Sequence, residues 1–68
     1  MKLKEYLYRY VRITNDKGYS FDGYVAEFFR GEENEDGIDS IGVSKDAERL
    51  GGIEISENHI VSIQIIKG

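Results

Sequence analysis

VRITNDKGYSFDGYVAEFF, Val11 to Phe29, is the stretch that decides the fold. Val11 and Ile13 alternate with Arg12 and Thr14, the period of two that puts successive side chains on opposite faces of a strand. NDKG then supplies turn residues ending in Gly18, and a second run follows with Tyr19, Phe21, Gly23 and Val25 on one face. Two alternating runs joined by a short turn make a hairpin. A glycine inside a strand marks a bulge or a sharp bend, so Gly23 is the place where this sheet is expected to curl.

Working outward, the preceding segment changes period. Leu3, Tyr6, Leu7 and Tyr10 fall at i, i+3, i+4 and i+7, one face of a helix over residues 1–10, with Glu5 and Arg9 spaced to pair on another side. Downstream, Ile41 and Val43 alternate with small residues, SKDAERLGG forms a connection, and Ile53 and Ile55 alternate about Glu54. SEN makes a tight turn into HIVSIQII, where Val61, Ile63 and Ile65 share one face and Ile60, Ser62, Gln64 and Ile66 the other. The expectation is one mainly β domain over residues 1–68: an N-terminal α-helix, then five strands within 11–66 forming a strongly bent antiparallel barrel. Its expected core is Leu3, Leu7, Val11, Ile13, Phe21, Val25, Ile41, Val43, Ile53, Ile55 and Ile63.

Composition narrows the function classes. A chain of 68 residues buries only about 60% of its unfolded surface, so its core is thin and partners can matter to its stability. There is no cysteine, which removes disulfides and thiolate metal sites and fits the cytoplasm. The start, MKLKEYLYRY, is charged throughout and unlike a signal peptide, and no apolar run approaches the roughly 20 residues a membrane span requires. Nine basic and 13 acidic residues give a net charge of −4, and the stretch Arg30 to Asp39 alone accounts for all of it. The rest balances, leaving no general basic patch for a phosphate backbone.

The order of elements and the residues of the hairpin resemble the Sm-like family. Its first motif has alternating aliphatics, a turn glycine, an aromatic three on and a bending glycine two further; here these are Val11, Ile13, Gly18, Phe21, Gly23 and Val25. Its last strand opens on a short turn and isoleucines, here SENHIVSI, so the resemblance covers nearly the whole chain. It implies an SH3-like, Sm-like barrel that joins its fourth strand to the fifth of the next copy, forming a ring that binds single-stranded RNA near the pore. Homo-oligomerisation is expected, with Ile53, Ile55, Ile60, Ile65 and Ile66 at the interface. The apolar residues on both faces of the last strand point the same way.

The family's RNA contacts are an Asp and an Asn after strand two and an Arg-Gly before the last strand. Those places fall here on Phe29, on Glu33 with Asn34 one position on, on Ser56 and on Glu57; none matches. The family's bacterial RNA chaperone carries Lys-His, where this chain has Glu57 and Asn58, with His59 one place late. An RNA site here would draw on Phe29, Asn34, Ser56, Asn58 and His59. Carboxylates on the approach make RNA the disfavoured ligand, although Lys2, Lys4, Arg9 and Arg12 offer a separate basic face.

Other chemistry finds little support. His59 is the only histidine, and a triad has only Ser56 or Ser62 to draw on, with no nucleophile elbow or oxyanion loop. Gly51 and Gly52 lack the Lys-Ser or Lys-Thr that completes a phosphate loop. GEENEDGID places Glu32, Asn34 and Asp36 at alternate positions before Gly37, as a calcium loop begins, but the twelfth position is Val43 rather than a bidentate Glu. These three are weak metal candidates; the segment is expected to be a mobile, solvated hairpin tip that favours a basic protein partner. The expectation is a non-catalytic, self-assembling interaction module with no cofactor and no membrane partner. An RNA-binding ring is the alternative, and a hydrolytic enzyme a distant one.

Overall fold

The computed structural model describes residues 2–45 and 52–67. Five strands form one antiparallel sheet: β1 (Tyr10–Asn15), β2 (Ser20–Phe29), β3 (Ser40–Ser44), β4 (Ile53–Ser56) and β5 (Ile60–Lys67). Their spatial order is β4-β3-β2-β1-β5. The predicted hairpin is present, with Val11 opposite Gly23 and Ile13 opposite Phe21. Asn15 Oδ1 accepts from the backbone N–H of Lys17 at 3.0 Å and of Tyr19 at 2.9 Å, so the turn is built by its own side chain. The connection predicted over SKDAERLGG lies, at 46–51, outside the described residues.

The sheet must curl. β4 and β5 occupy opposite edges, yet only a 3-10 turn, Glu57–His59, joins them. The edges of a flat five-stranded sheet stand about 19 Å apart at the usual strand spacing. Four peptide steps reach about 14 Å. The β2–β3 pairing skips Ala26, between Val25 and Glu27, a bulge of the kind that sharpens the twist of a sheet. Gly23 serves close packing: a Cβ there would collide with Val43 Cγ1 and lie 2.9 Å from the carbonyl oxygen of Ser44.

The N-terminal α-helix is not formed. Residues Leu3–Tyr6 make a single 3-10 turn, and Tyr8 adopts a left-handed φ of 66°. The reason is competition with the sheet: Tyr8 N–H donates to Val25 O at 2.7 Å and Val25 N–H to Arg9 O at 3.0 Å, extending the ladder backwards. Too few residues then remain to offset the cost of nucleating a helix. Leu3 still reaches the core at 1% exposure, and Leu7 packs against it.

The buried core is Leu3, Val11, Ile13, Val25, Ile41, Val43 and Ile60, with Tyr6, Leu7, Phe21, Phe28, Ile55 and Ile63 packed around it. Two expectations fail here. Ile53 was expected inside and is exposed, because β4 is an edge strand. Ile60 was expected on the oligomer face and is buried at 7% exposure. The pairing of β5 with β1 explains the second: it skips Val61 and Ile66, matching Asn15 to Ile60, Thr14 to Ser62, Val11 to Ile65 and Tyr10 to Lys67. Each skip breaks the alternation that a simple period-two reading assumes.

Candidate interaction surface

β4 is the axis of the polar surface. Alternation turns Ile53 and Ile55 toward the core side and Glu54 and Ser56 away from it. Glu54 accepts a hydrogen bond from Ser40 Oγ at 2.9 Å, and Ser40, fully buried, accepts one from Asn34 Nδ2 at 3.2 Å. The Asn34 amide also donates to Ile38 O at 2.7 Å. A chain of side-chain bonds thus ties the acidic loop to β3 and β4.

That loop is not a free tip. It opens with a 3-10 turn, Gly31–Glu33, and is closed by Asp39 Oδ1, which accepts from Gly31 N–H at 2.7 Å. Glu57 N–H donates to Asp39 O at 2.9 Å, anchoring the loop to the β4–β5 link. Its charged side chains, Glu32, Glu33, Glu35 and Asp36, remain exposed. The metal candidates do not converge: Glu32 faces Arg30 at 3.5 Å, Asp36 Oδ1 accepts from Ile38 N–H at 3.0 Å, and Asn34 presents its amide nitrogen to the loop. Among the described residues, no group of three or more His, Cys, Asp or Glu is placed to hold a metal ion.

Three of the five residues proposed for RNA do come together. Asn34 and Ser56 line a shallow cleft with Glu35, Asp36 and Glu54. Ser56 and His59 line a second, with Asn15, Asp16, Lys17 and Glu54. Phe29 stands apart in a groove with Gly42 and Ile53, and Asn58 is exposed and lines none of these. Glu54 borders all three. His59 Nδ1 lies 3.0 Å from Asp16 Oδ2, and Asp16 N–H donates to His59 O at 3.0 Å. The bond to His59 is the main cause holding the Asp16 carboxyl below the ordinary aspartate range.

The electrostatics oppose a phosphate backbone. Asp16, Glu35, Asp36 and Glu54 border the two polar clefts, against Lys17 and a histidine already engaged by Asp16. The alternative basic face is also reduced: Arg12 donates from Nε and Nη2 to both carboxylate oxygens of Asp22, at 2.8 and 3.1 Å. Of the other members of that face, Lys2 and Lys4 are exposed and Arg9 is half-buried.

The apolar surface gathers at the sheet edges. Ile53 on β4 and Val61, Ile65 and Ile66 on β5 are exposed, with Ile55 half-buried. Among the described residues β4 pairs with β3 alone and β5 with β1 alone, so each presents an unpaired edge. Sequence reasoning named the edge isoleucines but missed Glu54, Ser40, Asp16 and Gly42. Alternation in IEIS did mark Glu54 as outward; its partner Ser40 is legible only from the β3–β4 register. No helix among the described residues is long and apolar enough to cross a membrane. Comparison with protein-family models, with curated proteins and with solved structures finds no match for this chain.

Proposed function

We propose that this chain is a non-catalytic, Sm-like β-barrel that acts in the cytoplasm as a self-assembling interaction module, with no cofactor. The observation that carries the reading is the strand order β4-β3-β2-β1-β5, which leaves two different edges open, each with exposed isoleucine. Unpaired edges bearing apolar side chains invite strand addition, and joining unlike edges gives a head-to-tail assembly that closes into a ring when the rotation allows. The acidic rim around Glu54 favours a basic protein as the further partner. Sedimentation velocity across the micromolar range tests the assembly: a concentration-dependent oligomer is expected, and a monomer at high micromolar concentration refutes it.

The RNA-binding ring is the second reading, favoured by the convergence of Asn34, Ser56 and His59 on adjoining clefts. Titration with uridine-rich and adenosine-rich oligonucleotides at low ionic strength separates the two. Weak binding is expected; submicromolar binding abolished by substitution of Ser56 or Phe29 would reverse the ranking. A hydrolytic enzyme is a distant third. Ser56 shares a cleft with the His59–Asp16 pair, but no hydrogen bond joins Ser56 to His59 among those found in the described residues.

A further inference from the structure

Two aspartates in this chain precede a glycine, Asp22 before Gly23 and Asp36 before Gly37, and the fold treats them differently. An aspartate followed by glycine is open to backbone rearrangement, because glycine has no Cβ to hinder its nitrogen from attacking the neighbouring carboxyl carbon. The attack needs room for the peptide to turn.

Asp22 lacks that room. It lies in β2 opposite Arg12, with Gly23 opposite Val11, so turning the peptide between them would break the register of the hairpin. Both its carboxylate oxygens accept from Arg12, at 2.8 and 3.1 Å, and this pairing holds the carboxyl below the ordinary aspartate range, in the ionised form that gives up oxygen least readily. Gly23 is buried, and Val43 and Ser44 stand where a Cβ would be. Asp36 differs on each count. Both it and Gly37 are exposed, and nothing stands within 4 Å of a Cβ built on Gly37. Asp36 Oδ1 accepts from the neutral Ile38 N–H at 3.0 Å, which folds the side chain back over the following peptide and turns its carboxyl carbon toward the Gly37 nitrogen. The bond that this nitrogen must give up, to Asn34 O, is long at 3.2 Å.

We propose that Asp36 is a site of isoaspartate formation in the folded protein, and that the fold protects Asp22 from the same chemistry. The Gly37 nitrogen attacks the Asp36 side-chain carboxyl carbon; a C–N bond forms, and the carboxyl OH leaves with the N–H proton as water, giving a cyclic imide. Water then adds to either imide carbonyl. Opening at the side-chain carbonyl restores aspartate, whereas opening at the former main-chain carbonyl leaves isoaspartate, and neither path needs an oxidant or any reactant but water. The product carries the main chain through the side-chain carbon, one methylene longer, with a free carboxylate where the peptide carbonyl stood. It loses the bond to Ile38 N–H beside the Asn34 donation to Ile38 O, so the change reaches the bonds that run from Asn34 through Ser40 to Glu54. Modification loosens the tie between the acidic loop and β4.

The test is prolonged incubation of the full chain in water enriched in heavy oxygen, folded and in urea, followed by trypsin and mass spectrometry. Asp36 falls in the peptide Gly31 to Lys45 and Asp22 in Gly18 to Arg30. Each passage through the imide adds heavy oxygen, fragmentation assigns it to a residue, and methylation by a protein-isoaspartate methyltransferase counts the product independently. In the folded chain Asp36 is expected to react at least about tenfold faster than Asp22, a barrier difference of about 1.4 kcal/mol, and in urea the two rates are expected to converge. Asp36→Glu keeps the charge but requires a larger ring, and is expected to abolish label in Gly31 to Lys45. A folded chain that stays unmodified at Asp36, over the time in which the urea-unfolded chain reacts there, overturns the proposal. So does an Asp22 that keeps pace with Asp36 in the folded chain. Label that persists in that peptide after Asp36→Glu belongs to another residue and overturns it as well.

Discussion

Replacing Gly23 with alanine adds one methyl group where the structure has no room for it. The new Cβ would collide with Val43 Cγ1 and stand 2.9 Å from Ser44 O. Neither neighbour yields easily: Val43 is 4% exposed within the core, and Ser44 is held in register opposite Tyr24. The strands must therefore move apart. Overpacking of this kind costs about 1–3 kcal/mol, and loosening one neighbouring backbone hydrogen bond adds about 1 kcal/mol. The expected loss is about 2–4 kcal/mol, out of a total that for a domain of this length is about 3–10 kcal/mol. The midpoint should fall by roughly 8–32 °C, taking about 4–8 °C per kcal/mol for a small domain. Urea and thermal unfolding followed by circular dichroism measure this, with protein concentration held fixed because association shifts apparent stability. Gly37→Ala is the contrast. Its φ is +72° with nothing within 4 Å of the added Cβ, so only the left-handed strain of about 1–2 kcal/mol applies. If Gly23→Ala unfolds within about 0.5 kcal/mol of wild type, or Gly37→Ala is the more damaging, the close approach of β2 and β3 has been misjudged.

Asn34→Ala removes both amide donations, to Ile38 O and Ser40 Oγ, and should cost about 1–3 kcal/mol while speeding amide exchange in the acidic loop; unchanged stability and exchange would show that the loop is held by other contacts. The Asp16 and Asp22 carboxyls are held below the ordinary value of 3.8, chiefly by hydrogen bonds from His59 and Arg12. A lowered folded-state pKa gives stability that is complete above the unfolded value and is lost as pH falls through the folded one. Asp16→Asn and Asp22→Asn should therefore flatten the acid limb of a stability-against-pH curve below about pH 4, and an acid limb as steep as wild type in both counts against the pairings. Millimolar calcium should leave the thermal midpoint unchanged, because stabilisation by a ligand requires a formed site; a rise of several degrees would restore GEENEDGID as a cation loop.

The sequence by itself determined the strand hairpin, most of the core and the solvated charge of the acidic loop. Those features follow from local rules: alternation in Val11–Thr14, turn chemistry in NDKG, and carboxylates that favour water. Tertiary structure decided the rest. Leu3, Tyr6, Leu7 and Tyr10 had a helical period, but Val25 offered backbone partners to Tyr8 and Arg9, and pairing across the sheet overrode a helix too short to stand alone. The skips at Val61 and Ile66 put Ile60 in the core and Val61, Ile65 and Ile66 outside it, because register is set by β1 and not by the pattern within β5. The polar surface shares that origin. Asp16 and His59 are 43 residues apart in the chain, and Ser40 and Glu54 are 14 apart. Pairing of neighbouring strands, Asn15 opposite Ile60 and Ser40 opposite Ser56, brings such distant positions within hydrogen-bond reach.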